Sequence, residues 1–286
     1  MKVLVTGVKG QLGFDVVNAL NKRGHSSIGV DIEEMDITDE TAVKNVITAA
    51  NPDAVIHCAA WTAVDAAEDN FDKVMKINAQ GTACIAEVCR TINAKMMYIS
   101  TDYVFNGIGT EAWKPDCHDY SPLNVYGESK LRGEKAVSST LTKYFIVRIA
   151  WVFGKNGNNF IKTMLNLSKT HDTLRVVNDQ IGTPTYTLDL ARLLVDMIET
   201  DKYGYYHATN EGGFISWADF ATEIFKAADR PTKVIPVTTA EYGLSKARRP
   251  FNSRLDKSKL IENGFKPLPT WQDALERYLK ELAMNE

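Results

Sequence analysis

The 286-residue chain is poor in the residues that staple or metallate small proteins: four cysteines and five histidines. Cys58, Cys84, Cys89 and Cys117 form no CxxC pair. A disulfide framework would crowd more of them into fewer residues, so they read as reduced thiols of a cytoplasmic protein. The histidines are scattered, with no HExxH or Cys/His cluster, and give no transition-metal site. A net charge of −3 excludes a chain held mainly by nucleic-acid phosphates. No apolar run approaches the ~20 residues of a membrane helix. The start, MKVLVTG, leads directly into strand-like sequence, so no signal peptide is expected. There is no GxxxxGK[ST] kinase loop and no GxSxG hydrolase elbow.

What is present is ordinary for a globular chain, 44% apolar and 24% charged, long enough for one large or two smaller domains. Short β-rich runs alternate with amphipathic stretches through the first half. Strands are expected at 2–6, 27–31, 54–58, 95–100 and 144–150. Helices are expected at 11–23, 38–50 (capped by Thr38), 71–93 and 125–138. Near-continuous apolar strands separated by helices indicate a Rossmann-type, doubly wound parallel α/β sheet. The second half predicts helices at 159–169, 188–200 and 271–283, and a sixth strand at 174–177. This places a dinucleotide-binding domain at 1–152, rejoined at 171–200. A smaller, mixed substrate-binding domain is expected from 153–170 and 201–286.

Gly7-Val-Lys-Gly10-Gln-Leu-Gly13 follows the first strand and opens the first helix. The first glycine permits a tight turn, the second lets backbone approach a pyrophosphate, and the third allows close helix–strand packing. The helix N-terminus adds a favourable dipole for the anion. Asp31, 18 residues after Gly13, can accept from adenosine ribose hydroxyls and would repel a 2′-phosphate; Lys9 and Arg23 could still help one, so NADH and NADPH both stay open. Asp36 and Ile37, in MDITD, either flank the adenine or prepare the next helix start.

Tyr126 and Lys130 form a YxxxK pair, which a helix places on one face. A free tyrosine titrates near ~10 and is a poor acid at neutral pH. A nearby ammonium stabilises the phenolate and makes the phenol a workable general acid toward a carbonyl oxygen. Thr101 sits just past the carboxyl end of the fourth strand, where ligands bind in such sheets; Ser100 competes for its role. Asp102 binds a sugar hydroxyl, relays a proton, or makes an Asx turn. Trp151 stacks on a sugar or base, or fills an interface. Arg249 could meet a diphosphate bidentately, or be a solvated loop charge.

With TGVKGQLG, MDITD, HCAAWTAVDAAED, YISTDYVFNG, SPLNVYGESKLRGE, RIAWVFG, NDQIGTPTYTLDLA and RRPFNSRL in view, the chain resembles the extended short-chain dehydrogenase/reductase family nearly end to end. Within that family it looks most like the dTDP-4-dehydrorhamnose reductase branch. The resemblance implies pyrophosphate contacts at Gly10, Gln11 and Leu12, and adenosine contacts at Asp36 and Ile37. Ala60, Trp61 and Thr62 would line the cofactor, Trp61 standing where tyrosine or histidine is usual. Tyr126 and Lys130 would bind the nicotinamide ribose and act in catalysis with Thr101. Substrate would meet Thr101, Asp102 and Trp151. The implied reaction is reduction, by NADPH or NADH, of the 4-keto group of a dTDP-linked 6-deoxy sugar. Some relatives dimerise around Mg2+ through acidic residues; no such set is assigned here, and the chain is expected to be a monomer or homodimer. Two alternatives remain: another sugar-nucleotide enzyme such as an epimerase, and a non-catalytic binding subunit like that of methionine adenosyltransferase.

Overall fold

A computed structural model describes residues 1–284 of the chain. β1 (Lys2–Thr6), β2 (Ser26–Val30), β3 (Ala54–His57), β4 (Lys95–Thr101) and β5 (Tyr144–Ile149) run parallel. Between them lie α1 (Gln11–Lys22), α2 (Glu40–Ala50), the short α3 (Val64–Ala67), α4 (Phe71–Met75), α5 (Thr82–Thr91) and α6 (Val125–Thr140). Side chains alternate across the sheet because a strand has a period of two. Val3, Val5, Ile56, Met97 and Val147 join α1 on one face, while Leu4, Val55, Met96 and Ile146 join α2 and α5 on the other. Covering both faces makes the strands apolar throughout.

Several expectations are corrected. Asp39, not Thr38, caps α2, its carboxylate accepting from the N–H groups of Thr41 and Ala42. The helix expected at 71–93 is interrupted by a π segment, Lys76–Gly81, between α4 and α5. At its end the backbone packs closely on the chain before α2: a Cβ at Gly81 would lie 2.7 Å from the Ile37 carbonyl oxygen.

The second half continues with β6 (Val152–Phe153), α7 (Phe160–Leu167), β7 (Thr173–Val177), β8 (Ile181–Gly182), β9 (Thr185–Tyr186), α8 (Thr187–Ile198) and β10 (Gly204–His207). It ends with β11 (Ile215–Ser216), α9 (Trp217–Ala227), β12 (Lys233–Val237), α10 (Thr239–Tyr242), α11 (Ser258–Glu262) and α12 (Trp271–Ala283). The expected sixth strand, β7, pairs with β12 outside the main sheet. The sheet takes β10 instead, giving the order β10-β5-β4-β3-β1-β2. The run Gly204-Tyr-Tyr-His207 is too short and too glycine-led to read as a strand by itself; parallel pairing with β5 makes it one. α8 packs its apolar face, including Leu190 and Leu194, into the α1 side of the sheet. α7, α9 and α12 build a separate core around Phe153, Phe220 and Trp271.

One buried ion pair fastens the central elements. Arg148 on β5 and Glu134 on α6 are essentially unexposed and joined by two hydrogen bonds, 2.8 and 2.7 Å. Ser100 of β4 donates to the same carboxylate at 2.6 Å. The guanidinium also donates to the Pro115 carbonyl and the Tyr120 hydroxyl, and lies over the rings of Phe105, Tyr120 and Tyr205. Removing one partner of such a pair strands the other charge away from water. Glu134→Leu should therefore cost about 3–5 kcal/mol in urea unfolding, and adding Arg148→Met should restore most of that loss.

Candidate active site

The carboxyl ends of β1, β3, β4 and β5 open onto a cleft of about 1010 Å³, near the top of the usual ~300–1,000 Å³ range for cofactor and ligand sites. It lies where the chain reverses direction across the sheet, β2 being added on one side of β1 and β3 on the other.

The glycine turn forms its first wall. Gly7 has φ +70°, and a Cβ there would sit 2.8 Å from Ala59 backbone atoms. A Cβ on Gly13 would lie 2.3 Å from the Gly7 carbonyl oxygen, so glycine is what lets α1 press against the turn. Gly10 is different: it is exposed, in ordinary extended backbone, and would meet only the Gly7 oxygen at 3.2 Å. Its missing side chain leaves room in the cleft, which suits close approach of a diphosphate. Among the described residues no side chain caps α1, so its first N–H groups are left for a ligand. Gln11 and Leu12 line the same wall.

Asp31, Asp36 and Ile37 line the far end together with Thr38. Asp31 accepts from the Lys9 and Ile32 N–H groups, each at 2.9 Å, tying the end of β2 to the glycine turn. Asp36 accepts from the Thr38 N–H, which holds its carboxyl below the ordinary range. Ala60, Trp61 and Thr62 form the wall beyond β3. The residue that shapes this wall was not foreseen. Asn78, in the π segment and 1% exposed, accepts from the Trp61 N–H at 2.8 Å and donates to the Trp61 carbonyl and to Ser129 of α6. An Asn and a Gly inside an otherwise helical run, INAQG, were the available signal.

Tyr126 and Lys130 both face the cleft from α6, whose start is capped by Asn124. Lys130 is 3% exposed, with its ammonium over the Tyr98 ring, 4.1 Å from the centroid. Burial pulls its pKa down to about 7, against the opposing influence of Glu134. Its other titratable neighbours are neutral. Burial pushes the Cys58 thiol up to about 12 and the His57 imidazole down to about 3, where Thr6 and Thr82 hydroxyls flank its two nitrogens. Tyr126 departs from the expected downward tuning: burial holds its phenol above the ordinary value, partly offset by the Thr101 hydroxyl. The phenol therefore keeps its proton at neutral pH, the form a proton donor needs.

Ser100 reaches the cleft wall, whereas Thr101 and Asp102 lie buried just behind it. The Thr101 hydroxyl donates to Asp102 Oδ1 at 3.0 Å. Burial raises the Asp102 carboxyl to about 6. Arg249 does not reach the cleft. Its guanidinium is taken by Asp65 at 2.7 Å and the Tyr103 hydroxyl at 3.3 Å, and Tyr103 packs edge-on against Tyr126. Trp151 is on the cleft wall in a left-handed backbone conformation, φ +51°, uncommon for a bulky residue. It stacks on Trp217, ring centroids 3.7 Å apart; Trp217, from α9, is a further cleft residue that sequence spacing did not indicate. Among the described residues no group of three or more His, Cys, Asp or Glu could hold a metal ion, and no helix is long and apolar enough to cross a membrane.

The comparisons with known proteins agree with this geometry. The family described as RmlD substrate binding domain matches residues 1–284. Spore coat polysaccharide biosynthesis protein SpsK of Bacillus subtilis is 41% identical over 280 residues, covering 98% of this chain and 97% of that protein. The dTDP-4-dehydrorhamnose reductase of Aggregatibacter actinomycetemcomitans is 40% identical over 288 residues, covering 96% and 97%. The crystal structure of the Bacillus anthracis dTDP-4-dehydrorhamnose reductase, in complex with NADP, superposes with a TM-score of 0.94 at 42% identity, covering 98% of this chain and 99% of that one. At 19% identity and a TM-score of 0.82, Thermus thermophilus UDP-glucose 4-epimerase shares the fold. The chain belongs to the RmlD family, that of the dTDP-4-dehydrorhamnose reductases.

Proposed function

We propose that the protein reduces the 4-keto group of dTDP-4-dehydro-L-rhamnose to give dTDP-L-rhamnose, using NADPH or NADH. The observation that carries the reading is one cleft lined by the glycine turn, by Asp31 and Asp36, and by Tyr126, Lys130 and Trp151. Gly10, Gln11 and Leu12 would hold the pyrophosphate, Asp31, Asp36 and Ile37 the adenosine, and Ala60, Trp61 and Thr62 the middle of the dinucleotide. When bound, the reduced nicotinamide supplies a hydride to a carbonyl carbon. Tyr126 holds its proton at the phenolic oxygen and gives it to the carbonyl oxygen. Thr101, beside that phenol, orients it and polarises the carbonyl. Lys130 meets the nicotinamide ribose and, once an anionic ligand lies near, keeps its positive charge beside the developing negative one. Trp151 would contact the sugar nucleotide, whereas Asp102, buried behind the cleft wall, would act through the Thr101 hydroxyl. Arg249 is better read as holding Tyr103 against Tyr126 than as a diphosphate ligand. We read 1–152 as the cofactor part, rejoined by α8 and β10, whereas β7, expected within a returning segment 171–200, pairs with β12 and packs with the substrate part built from 153–170 and the residues after 201. We read the protein as cytoplasmic, a monomer or homodimer, with no residues assigned to Mg2+.

The purified chain, given the keto-sugar nucleotide and either reduced dinucleotide, should consume its absorbance stoichiometrically with product. Absence of oxidation with both cofactors overturns the reading. Tyr126→Phe should lower kcat by about 10²–10⁴ with unchanged thermal stability, measured by turnover and melting; wild-type turnover in that variant would remove Tyr126 as the acid.

A separate outcome concerns Lys130. Its folded pKa, about 7, is below the ordinary value of 10.5. Between those values the unfolded chain binds more protons, so the destabilising contribution is complete below about pH 7 and fades as pH rises toward 10.5. Relative to Lys130→Met, the wild type should gain roughly 2–3 kcal/mol of unfolding free energy between about pH 7 and pH 9. Urea unfolding of both proteins at the two pH values checks this.

A further inference from the structure

The adenosine end of the cleft carries an unusual local charge balance. Lys9, Asp31 and Ile32 all line it, and Glu33 and Glu34 follow in the same turn. The Asp31 N–H donates to the Glu34 carboxylate at 2.9 Å, and the Asp31 carboxylate is held against the Lys9 backbone at 2.9 Å. The turn is thus compact, with three carboxylates around one ammonium. That ammonium is already taken: Lys9 Nζ lies 2.6 Å from Glu33 Oε1, both side chains about 60% exposed. Glu33, Glu34 and Asp31 all act to hold the Lys9 charge in place. Among the other lysines lining the cleft, Lys73 lies over the Trp61 ring, Lys130 lies over the Tyr98 ring, and the charge of Lys76 acts on Asp36.

A 2′-phosphate brings about −1.5 to −2 charges at neutral pH and needs a free cation to meet it. A ribose 2′-hydroxyl needs only an acceptor, and a carboxylate such as Asp31 has lone pairs to spare beyond its two backbone donors. The fold itself does not decide, since the 42% identical Bacillus anthracis relative is seen with NADP. The choice falls to the side chains of this turn.

We propose that Glu33 is a specificity-determining residue: by taking up Lys9 it leaves the ribose end net negative, so that the cleft favours the dinucleotide without a 2′-phosphate. Glu33 acts through Lys9 rather than by touching the ligand itself. The proposal rests on the reading of the cleft as a nicotinamide dinucleotide site.

The test is equilibrium binding by calorimetry, with NADH and NADPH titrated separately into the full-length protein at low salt. Wild type should bind NADH more tightly. Glu33→Gln should move the ratio of dissociation constants toward NADPH by roughly three- to tenfold, most of it through tighter NADPH binding, and high salt should shrink the shift. Adding Lys9→Gln to Glu33→Gln should reverse it. Equal affinities in the wild type, or an unchanged ratio in Glu33→Gln with both dinucleotides still bound, overturns the proposal. Failure of the wild type to bind either dinucleotide overturns the underlying reading of the cleft, and the proposal with it.

Discussion

The contact between Arg148 and Glu134 is the constraint on which the working end of the molecule depends. A guanidinium and a carboxylate in the protein interior are tolerable only when their hydrogen-bonding groups are largely met. Meeting them recruits four pieces of chain: β5 supplies the arginine, α6 the glutamate, β4 the Ser100 hydroxyl, and the segment before α6 the Pro115 carbonyl and Tyr120 hydroxyl. These are the pieces that carry Thr101, Tyr126 and Lys130. Glu134 is one helical turn beyond Lys130 and two beyond Tyr126, so the same bond fixes the rotation of the helix that presents both.

The cleft shows how a nearly neutral chain can prepare a place for anions. Around Lys130 three titratable neighbours stay uncharged, a thiol pushed up, an imidazole pushed down and a phenol that keeps its proton, while Glu134 spends its charge on Arg148. The wall by the glycine turn relies on backbone N–H groups instead of side-chain charge. Positive charge is thereby concentrated at a few points whose strength depends on what lies next to them.

Much of this was legible in the sequence, and the reason is the same in each case. Near-continuous apolar runs, helical spacing and the glycine turn are local codes, and β1, β3, β4 and α6 follow them nearly residue by residue. The YxxxK pair reached the cleft because four residues is one helical turn. What escaped was set by distant partners. β10 becomes a strand only beside β5, β7 leaves the sheet because β12 pairs with it, and Trp217 meets Trp151 across separate elements. Arg249 illustrates the same limit: nothing near it in sequence announces Asp65, which holds it away from the cleft.

The π segment between α4 and α5 has a consequence for how such a site could arise. A π turn amounts to one extra residue taken into a helix while the flanking turns keep their own packing. Here the widened turn carries Asn78 to the loop after β3 and to α6. The clamp on Trp61 thus hangs on the width of a single turn: narrowing it to an ordinary helical turn would rotate Asn78 away from both the loop and α6 without touching a strand of the sheet.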